Sequence, residues 1–275
     1  MNKMISIHEF KEDAVKSLRD IKNKKPLVHN ITNYVVMNYT AMALLSAGAS
    51  PIMAHAHEEV EELTSMAGSL VLNIGTLTGY WVDSMIKAGK KANSLHIPVV
   101  LDPVGSGATT MRTEAAKRIV REVEVSVIRG NASEVLSLAE ENSKTKGVDS
   151  LHSVEEAAEA GKILARELNT VLAITGETDF ITDGIVSCKV KNGHPLMGMV
   201  TGTGCTATVI VAAFNAVNSD PLLSAAAGLS YFGFAGEQAA KEAKGPGSFQ
   251  VKMLDFLYLV EENSFREGIQ VSFEK

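Results

Sequence analysis

The sequence predicts an α/β fold in which a mostly parallel central sheet is covered by helices on both faces. Short runs rich in Val, Ile and Leu occur without polar alternation, which is typical of strands buried on both faces. Helical patterns separate consecutive runs, and this alternation favours parallel pairing. No linker, repeat or low-complexity stretch divides the chain. We therefore expect a single domain over residues 1–275.

The first predicted element is a helix with a recognisable N-terminal signal. The stretch Ser6-Ile7-His8-Glu9 has the spacing of a capping box. Phe10, Ala14, Leu18 and Ile21 then recur at helical spacing, so they share one face that a core can bury.

Strands and helices alternate after Pro26. The predicted strands are Leu70–Ile74, Val99–Leu101, Val125–Ile128 and Val171–Thr175. The predicted helices are Val35–Leu45, Glu58–Met66, Trp81–Leu95, Thr113–Arg121 and Val154–Leu168, the last with a capping box that starts at Ser153. Asp183-Gly184 lies between two β-rich runs over residues 179–190 and predicts a hairpin at an edge of the sheet. Asp220-Pro221 predicts the start of a long Ala-rich helix.

Composition and charge exclude several classes of protein. The net charge is −6 and no basic cluster occurs, so we expect no nucleic-acid partner. The charged N-terminus is unlike a signal peptide, and the longest apolar stretches are too short or too interrupted to span a membrane. Two cysteines, Cys188 and Cys205, make no disulfide framework. We expect a cytoplasmic protein with reduced thiols.

Polar residues follow three of the predicted strands, at the point where each strand ends. Asp102 follows one strand, Arg129 follows the next with Glu134 in the first turn of the helix beyond it, and Thr175 ends a third. In an open parallel sheet, ligands bind outside the carboxyl ends of the strands. Each residue alone could be a cap or a turn residue. Together they predict a site for Mg²⁺ and phosphate, since carboxylates suit the metal and arginine suits phosphate oxygens.

The stretch "TGTGC", residues 201–205, precedes an apolar helix. The N–H groups of Gly202, Thr203, Gly204 and Cys205 would converge at the positive end of that helix, where an anion can bind. Glycine lets the backbone approach a phosphate closely. The chain has no Walker P-loop sequence, so this stretch predicts a different kind of phosphate loop.

A dinucleotide site is the alternative for the same glycines. Gly202-x-Gly204-x-x-Ala207 matches the G/A form of that fingerprint. The fingerprint also needs an acidic residue at the end of a second strand. Here Asp220 is followed by proline and another helix, so the sequence favours the phosphate loop.

These motifs, taken in order, resemble the ribokinase-like fold and, within it, the hydroxyethylthiazole kinases of thiamine biosynthesis and salvage. The stretches that carry the resemblance run from Pro26 to Phe249: "PLVHNITNYVV", "LLSAGASPIM", "LNIGTLT", "LDPVG", "IRGNASE", "TGETDFITDG", "GHPLMGMVTGTGC" and "GPGSF". Most ribokinase-like enzymes have an aspartate as catalytic base at the end of a G-A-G-D turn. This chain has Cys205 there, as thiazole kinases do.

The resemblance implies transfer of the ATP γ-phosphate to the hydroxyl of 4-methyl-5-(2-hydroxyethyl)thiazole, and a homotrimer with the pocket at a subunit boundary. It implies that Cys205 faces the substrate hydroxyl. The other implied roles are thiazole binding by Met53, Gly202 and Asn33, ATP binding by Arg129 and Thr175, Mg²⁺ binding by Asp102 and Glu134, and a contribution of Gly75 and Thr76 from a neighbouring subunit.

Two other functions remain open at this point. One is an ATP-dependent dehydratase of hydrated nicotinamide nucleotides on the same fold, which would need a larger pocket and usually an aspartate in place of Cys205. The other is a non-catalytic thiazole or nucleotide sensor. A sensor has no need of a metal next to phosphate, so Asp102, Glu134 and Arg129 favour the kinase.

Overall fold

A computed structural model describes residues 6–139 and 154–274. Their strands are β1 Leu27–Ile31, β2 Ser50–Met53, β3 Ser69–Asn73, β4 Val99–Asp102, β5 Val127–Gly130, β6 Val171–Ile174, β7 Asp179–Thr182, β8 Ser187–Val190 and β9 Val271–Glu274. Their helices are α1 Ile7–Lys24, α2 Met37–Ala47, α3 Val60–Met66, α4 Gly79–Ser94, α5 Thr110–Glu122, α6 Ala132–Leu136, α7 Val154–Leu168, α8 Thr203–Asn215, α9 Pro221–Glu242, α10 Pro246–Leu259 and α11 Glu262–Gly268. The capping box predicted from Ser153 lies outside the described residues.

The strands form one sheet in the order β2-β1-β3-β4-β5-β6-β7-β8-β9. The six strands from β2 to β6 are parallel, and the last three pair antiparallel. The predicted hairpin is confirmed as β7 and β8, with Gly184 at a positive φ of 87° in its turn, but its predicted position at an edge of the sheet is wrong. β9 adds outside β8 and is the outermost strand at that side.

Helices cover both faces of the sheet, as predicted. Val71, Val100 and Val127 contribute to the core with α1, α2, α8, α9, α10 and α11. The residues that follow them in each strand, such as Leu72 and Leu101, contribute to a second core with α3 to α7. Successive strand residues point to opposite faces, so both sets must be apolar, which explains the unbroken apolar runs.

The sequence prediction missed β1, β2 and β9 as strands. β1 contains His29 and Asn30, which interrupt its apolar pattern, and β2 contains Pro51. Both ring nitrogens of the buried His29 have hydrogen-bond partners: Nδ1 lies 3.0 Å from Thr64 Oγ1, and Nε2 lies 2.9 Å from the carbonyl oxygen of Ala54. Burial of a polar ring in a strand is tolerated only with such partners.

The helix α1 begins at the predicted capping box and packs against the last segments of the chain. Ser6 accepts from the backbone of Glu9, and the Glu9 carboxylate accepts from the backbone of Ser6. The rings of Phe10 and Phe273 make an edge contact at 5.4 Å between centroids. Lys22 Nζ donates to the carbonyl of Val260 at 2.7 Å. The two ends of the described chain therefore lie side by side.

Across residues 6–139 and 154–274, none of the helices is both long and apolar enough to cross a membrane.

Candidate active site

The carboxyl ends of five of the six parallel strands bring the predicted site residues to one edge of the sheet. Met53 ends β2, Asn33 follows β1, Asp102 ends β4, Arg129 lies in β5, and Thr175 follows β6. Glu134 lies in the first turn of α6, directly after β5. Cys205 lies in the first turn of α8, which packs against β1, β3 and β4. The order of the strands separates Met53 and Asn33 at one side from Arg129 and Thr175 at the other.

A buried chain of hydrogen bonds runs between the two sides. Asn33 Nδ2 donates to Asn73 Oδ1 at 2.8 Å, and Asn73 Nδ2 donates to Asp102 Oδ2 at 2.8 Å. Thr208 Oγ1 donates to the same Asp102 oxygen at 2.9 Å. The sequence prediction missed Asn73 and Thr208. Asn73 could have been found from the sequence, because it is the one polar residue in the apolar run 70–74. A buried side-chain amide needs hydrogen-bond partners, so its position indicates a polar neighbour.

Asp102 is a buried carboxyl group among charges of both signs. Burial raises its pKa to about 6, and the neighbouring Glu134 also acts in that direction. The positive charge of Arg129 and the hydrogen bond from Thr208 act against the shift, so Arg129 and Glu134 both lie within electrostatic reach. A desolvated carboxylate of this kind is stabilised by a bound cation.

Glu134 caps its own helix and also reaches the loop after β4. Its Oε2 accepts from the backbone N–H of Asn131 at 3.0 Å, which completes a capping box. Its Oε1 accepts from the backbone N–H of Gly105 at 2.9 Å. Each carboxylate oxygen can accept a further bond, so the cap and a metal-binding role are compatible.

Arg129 extends toward the start of α8. Its Nη2 donates to Thr175 Oγ1 at 2.5 Å. Its Nε is buried without a hydrogen-bond partner among the residues that the structure describes. Arg129 therefore keeps donor capacity for an anion.

Asp179, at the start of β7, is a further acidic residue near Arg129 that the sequence analysis did not predict. Burial raises its pKa to about 6, while a hydrogen bond from the backbone of Gly176 and the charge of Arg129 oppose the shift.

The two glycines of the predicted phosphate loop meet different requirements. Gly202 has a positive φ of 85°, and a Cβ there would lie 2.6 Å from Val36 Cγ1. A Cβ on Gly204 would lie 2.7 Å from Arg129 Nη1. Between them, Thr203 uses its hydroxyl to donate to the carbonyl of Val200 at 2.7 Å. Gly202 thus allows the turn, and Gly204 leaves room for the guanidinium group.

Cys205 is a protonated thiol at neutral pH. Burial raises its pKa to about 12, and the negative charge of Asp102 adds to the shift. Hydrogen bonds with the side chains of Asn73 and Asn33 act the other way, as does the charge of Arg129, and Asn33 Nδ2 donates to the sulfur at 3.6 Å. The thiol is therefore unsuited to act as a general base.

We expect Cys205→Ala to keep measurable activity, within about 10- to 100-fold of the wild-type kcat, because no base is lost. Steady-state kinetics with folding checked by circular dichroism measures this. Cys188→Ala is the control, since Cys188 is buried in β8. Complete loss of turnover in Cys205→Ala with normal ATP binding would show that the sulfur itself is indispensable.

Solved structures with this architecture define the fold class. A ribokinase-like superfamily protein from Enterococcus faecalis aligns with a TM-score of 0.62 at 12% identity, covering 94% of this chain and 98% of that one. The pyridoxal kinase of Staphylococcus aureus with AMP-PCP and pyridoxal aligns with a TM-score of 0.61 at 15% identity, covering 90% and 98%. The chain has the ribokinase-like fold.

Sequence similarity narrows the class to one family. The model of the hydroxyethylthiazole kinase family matches residues 18–263. The hydroxyethylthiazole kinase of Desulfotalea psychrophila is 58% identical, covering 94% of each chain. The solved structure of the hydroxyethylthiazole kinase protein from Pyrococcus horikoshii is 45% identical with a TM-score of 0.88, covering 96% of this chain and 100% of that one. The chain belongs to the hydroxyethylthiazole kinase family.

Proposed function

We propose that the protein transfers the γ-phosphate of ATP to the hydroxyl group of 4-methyl-5-(2-hydroxyethyl)thiazole, a step of thiamine biosynthesis and salvage. Membership of the hydroxyethylthiazole kinase family carries this proposal, since the family model spans residues 18–263. The arrangement of the site supports it, because carboxylates, an arginine and a helix N-terminus meet beside the half-buried thiol of Cys205.

In this proposal Arg129 and Thr175 bind ATP. The guanidinium group has an unpartnered buried Nε and lies against Gly204 at the start of α8. The phosphates would therefore meet both a fixed positive charge and the N–H groups of Gly204 and Cys205 in the first helical turn, whereas the Thr203 N–H already donates to the carbonyl of Val200 at 3.4 Å. Thr175 keeps the guanidinium group in this place through its hydroxyl.

Asp102 and Glu134 fit a magnesium ion bound mainly through phosphates. Among the described residues, no group of three or more His, Cys, Asp or Glu side chains could form a metal site made of protein alone. Magnesium in kinases is held by one or two carboxylates, by phosphates and by water, and the buried Asp102 with its raised pKa suits such a cation. When bound, the ion would neutralise charge on the transferred phosphoryl group.

Met53, Asn33 and Gly202 would bind the thiazole alcohol. Met53 ends β2, which pairs with β1, and Asn33 follows β1. Both residues therefore lie at the side of the sheet away from Arg129. The substrate hydroxyl would then lie near Cys205 and the phosphates on the other side. A loose transition state asks for positioning and charge neutralisation more than for a strong base, which agrees with a protonated thiol.

The wild-type protein tests the proposal directly. With ATP, Mg²⁺ and the thiazole alcohol, we expect ADP release and a product that is heavier by one phosphate in mass spectrometry. A panel of other alcohols and hydrated nicotinamide nucleotide is run in parallel. Turnover of one of these and none of the thiazole would reject the assignment, and binding of thiazole and ATP without turnover would favour a sensor.

We expect Arg129→Lys to raise the KM for ATP or lower kcat by about 10-fold or more, since lysine lacks the planar fork of donors. The KM for the thiazole should change little. Arg118→Lys is the matched control, because Arg118 is exposed and pairs with Asp83 and Glu122. A selective rise in the thiazole KM would instead assign Arg129 to the thiazole pocket.

We also propose a homotrimer whose subunit boundary covers the site. Large apolar side chains next to the site are exposed: Tyr34 is 65%, Val35 66% and Met199 69% exposed. Tyr34 and Val35 follow Asn33, and Met199 precedes the phosphate loop, so a neighbouring subunit would bury apolar surface there. Light scattering with size-exclusion chromatography should give three times the mass of 29.3 kDa, and a monomeric mass would reject the trimer.

A further inference from the structure

Arg112 is an arginine near the site whose guanidinium group binds backbone carbonyls. It lies in the first turn of α5 and is half-buried. Its Nη1 donates to the carbonyls of Val104 at 2.7 Å and Ile74 at 3.2 Å. Its Nη2 donates to the carbonyl of Gly75 at 2.6 Å. One side chain thus joins the loop after β3 to the loop after β4.

Two of these carbonyls belong to peptide groups whose N–H ends hold site residues. The Val104 carbonyl and the Gly105 N–H form one planar peptide group, and Gly105 N–H donates to Glu134 Oε1 at 2.9 Å. The Ile74 carbonyl and the Gly75 N–H form another, and Gly75 N–H donates to Asn73 Oδ1 at 3.0 Å.

Both peptide bonds are trans, because the described chain has no cis peptide. In a trans peptide the carbonyl and the N–H point in opposite directions. The guanidinium group therefore holds the carbonyl end of each peptide plane while its N–H end faces the site. Rotation of either plane would turn its N–H away from Glu134 or Asn73.

We propose that Arg112 is a positioning residue for phosphoryl transfer, which fixes the orientation of Glu134 and Asn73 by gripping these two peptide planes. The inference deepens the proposed function and rests on it. Asn73 in turn donates to Asp102, so one guanidinium group supports both carboxylates proposed for the metal. Supporting residues around a metal ligand typically contribute 10- to 100-fold to affinity or activity.

The planar fork explains why the residue is arginine. Two nitrogens of one rigid plane reach three acceptors in two different loops, which a single ammonium group cannot match. Space is also matched to the side chain, since Gly105 has a positive φ of 73° and a Cβ there would lie 3.0 Å from Arg112 Cδ. The loop after β4 therefore lies directly against the Arg112 side chain.

The first measurement uses the protein without ligands. Amide hydrogen exchange is followed at Gly75 and Gly105 in the wild type, in Arg112→Met and in Arg118→Met. Arg118 is the control on the same helix, exposed and paired with Asp83. We expect exchange at both glycines to rise at least 10-fold in Arg112→Met and to be unchanged in Arg118→Met. Unchanged exchange in Arg112→Met would overturn the proposal.

The second measurement is steady-state kinetics of the same proteins and of Arg112→Lys, with the folded fraction measured by calorimetry. We expect kcat to fall 10- to 100-fold in Arg112→Met and the half-saturating Mg²⁺ concentration to rise at least 5-fold. Arg112→Lys, which keeps the positive charge but not the planar fork, should show the same changes in kcat and Mg²⁺ dependence at smaller size. Loss of kcat in proportion to unfolded protein, with unchanged Mg²⁺ dependence, would show a structural role only.

These outcomes separate the inference from the function on which it rests. A wild type that binds Mg²⁺ and ATP but leaves the thiazole unphosphorylated would reject the proposed function, and the exchange data would still decide whether Arg112 holds the two peptide planes. An active wild type with wild-type behaviour in both Arg112 variants would reject the inference alone.

Discussion

Gly204→Ala should leave the protein folded and nearly inactive. The new Cβ would lie 2.7 Å from Arg129 Nη1 and 3.2 Å from its Nη2. A guanidinium group can move away at small cost to stability, and alanine favours a helix over glycine by up to about 1 kcal/mol. The displaced charge would no longer meet the phosphates, which typically costs about 10²- to 10³-fold in rate for one preorganised donor.

The measurements are kcat/KM for ATP and the thermal unfolding midpoint of each variant. Gly202→Ala is the matched comparison, because it should lower the unfolding midpoint, which Gly204→Ala should not, in addition to any effect on binding of the thiazole. A residue with a side chain at a φ of 85°, with a Cβ 2.6 Å from Val36 Cγ1, is strained by about 1–3 kcal/mol. Full activity of Gly204→Ala would show that Arg129 does not act in the position that the structure gives it.

Asp102→Asn should abolish activity and raise stability above pH 6. Asparagine keeps an oxygen that can accept from Asn73 and Thr208, so the network can persist. It removes the buried charge that a bound cation needs, and we expect kcat to fall by at least about 10²-fold. It also removes the cost of burying that charge in the free protein, which is about 3 kcal/mol for a shift of this size.

The difference in the free energy of unfolding between Asp102→Asn and the wild type should depend on pH. Burial raises the pKa of Asp102 to about 6 in the folded protein, whereas aspartate in an unfolded chain has a pKa of about 3.9. Between these values the folded state binds more protons than the unfolded state, so wild-type stability falls as pH rises from about 4 to 6. The free energy of unfolding of Asp102→Asn relative to wild type should therefore increase over this range and level off above it.

Denaturant unfolding of both proteins without ATP or metal, at several pH values, measures the difference. Asp179 also has a raised pKa, but it is present in both proteins and cancels in the comparison. Lower stability of Asp102→Asn at every pH would show that the carboxylate is needed to hold the site together. Retained kcat would remove Asp102 from the metal site.

The sequence predicted the parts of this fold that depend on local pattern. The apolar runs before Asp102 and Arg129 are strands, α7 has the predicted bounds, and Asp220-Pro221 begins α9. Parallel strands that are buried on both faces leave an unmistakable apolar signal. Since ligands meet the carboxyl ends of such strands, the same pattern also placed most candidate site residues at one edge of the sheet.

Features that depend on distant partners were missed. His29 in β1 is compatible with a buried strand only because Thr64 and the backbone of Ala54 satisfy its ring. Asn73 makes hydrogen bonds to Asn33 and Asp102, which are 40 and 29 positions away in the sequence. Arg112 donates to the carbonyl of Ile74 in the loop after β3, which is 38 positions away. Local periodicity carries no information about such pairings, which arise only when the sheet is assembled.

The contact between α1 and the end of the chain constrains how the protein can fold during synthesis. The buried face of α1, which includes Phe10 and Leu18, shares its core with Phe265 of α11 and the partly buried Phe273 of β9. The first helix therefore leaves the ribosome about 240 residues before its final neighbours. α8 and α9 cover part of its apolar face earlier, but the part that packs against α11 and β9 stays exposed to chaperones and proteases until residues 262–274 are released. Ribosomes stalled late in translation should accordingly carry a nascent chain that binds chaperones through its N-terminus.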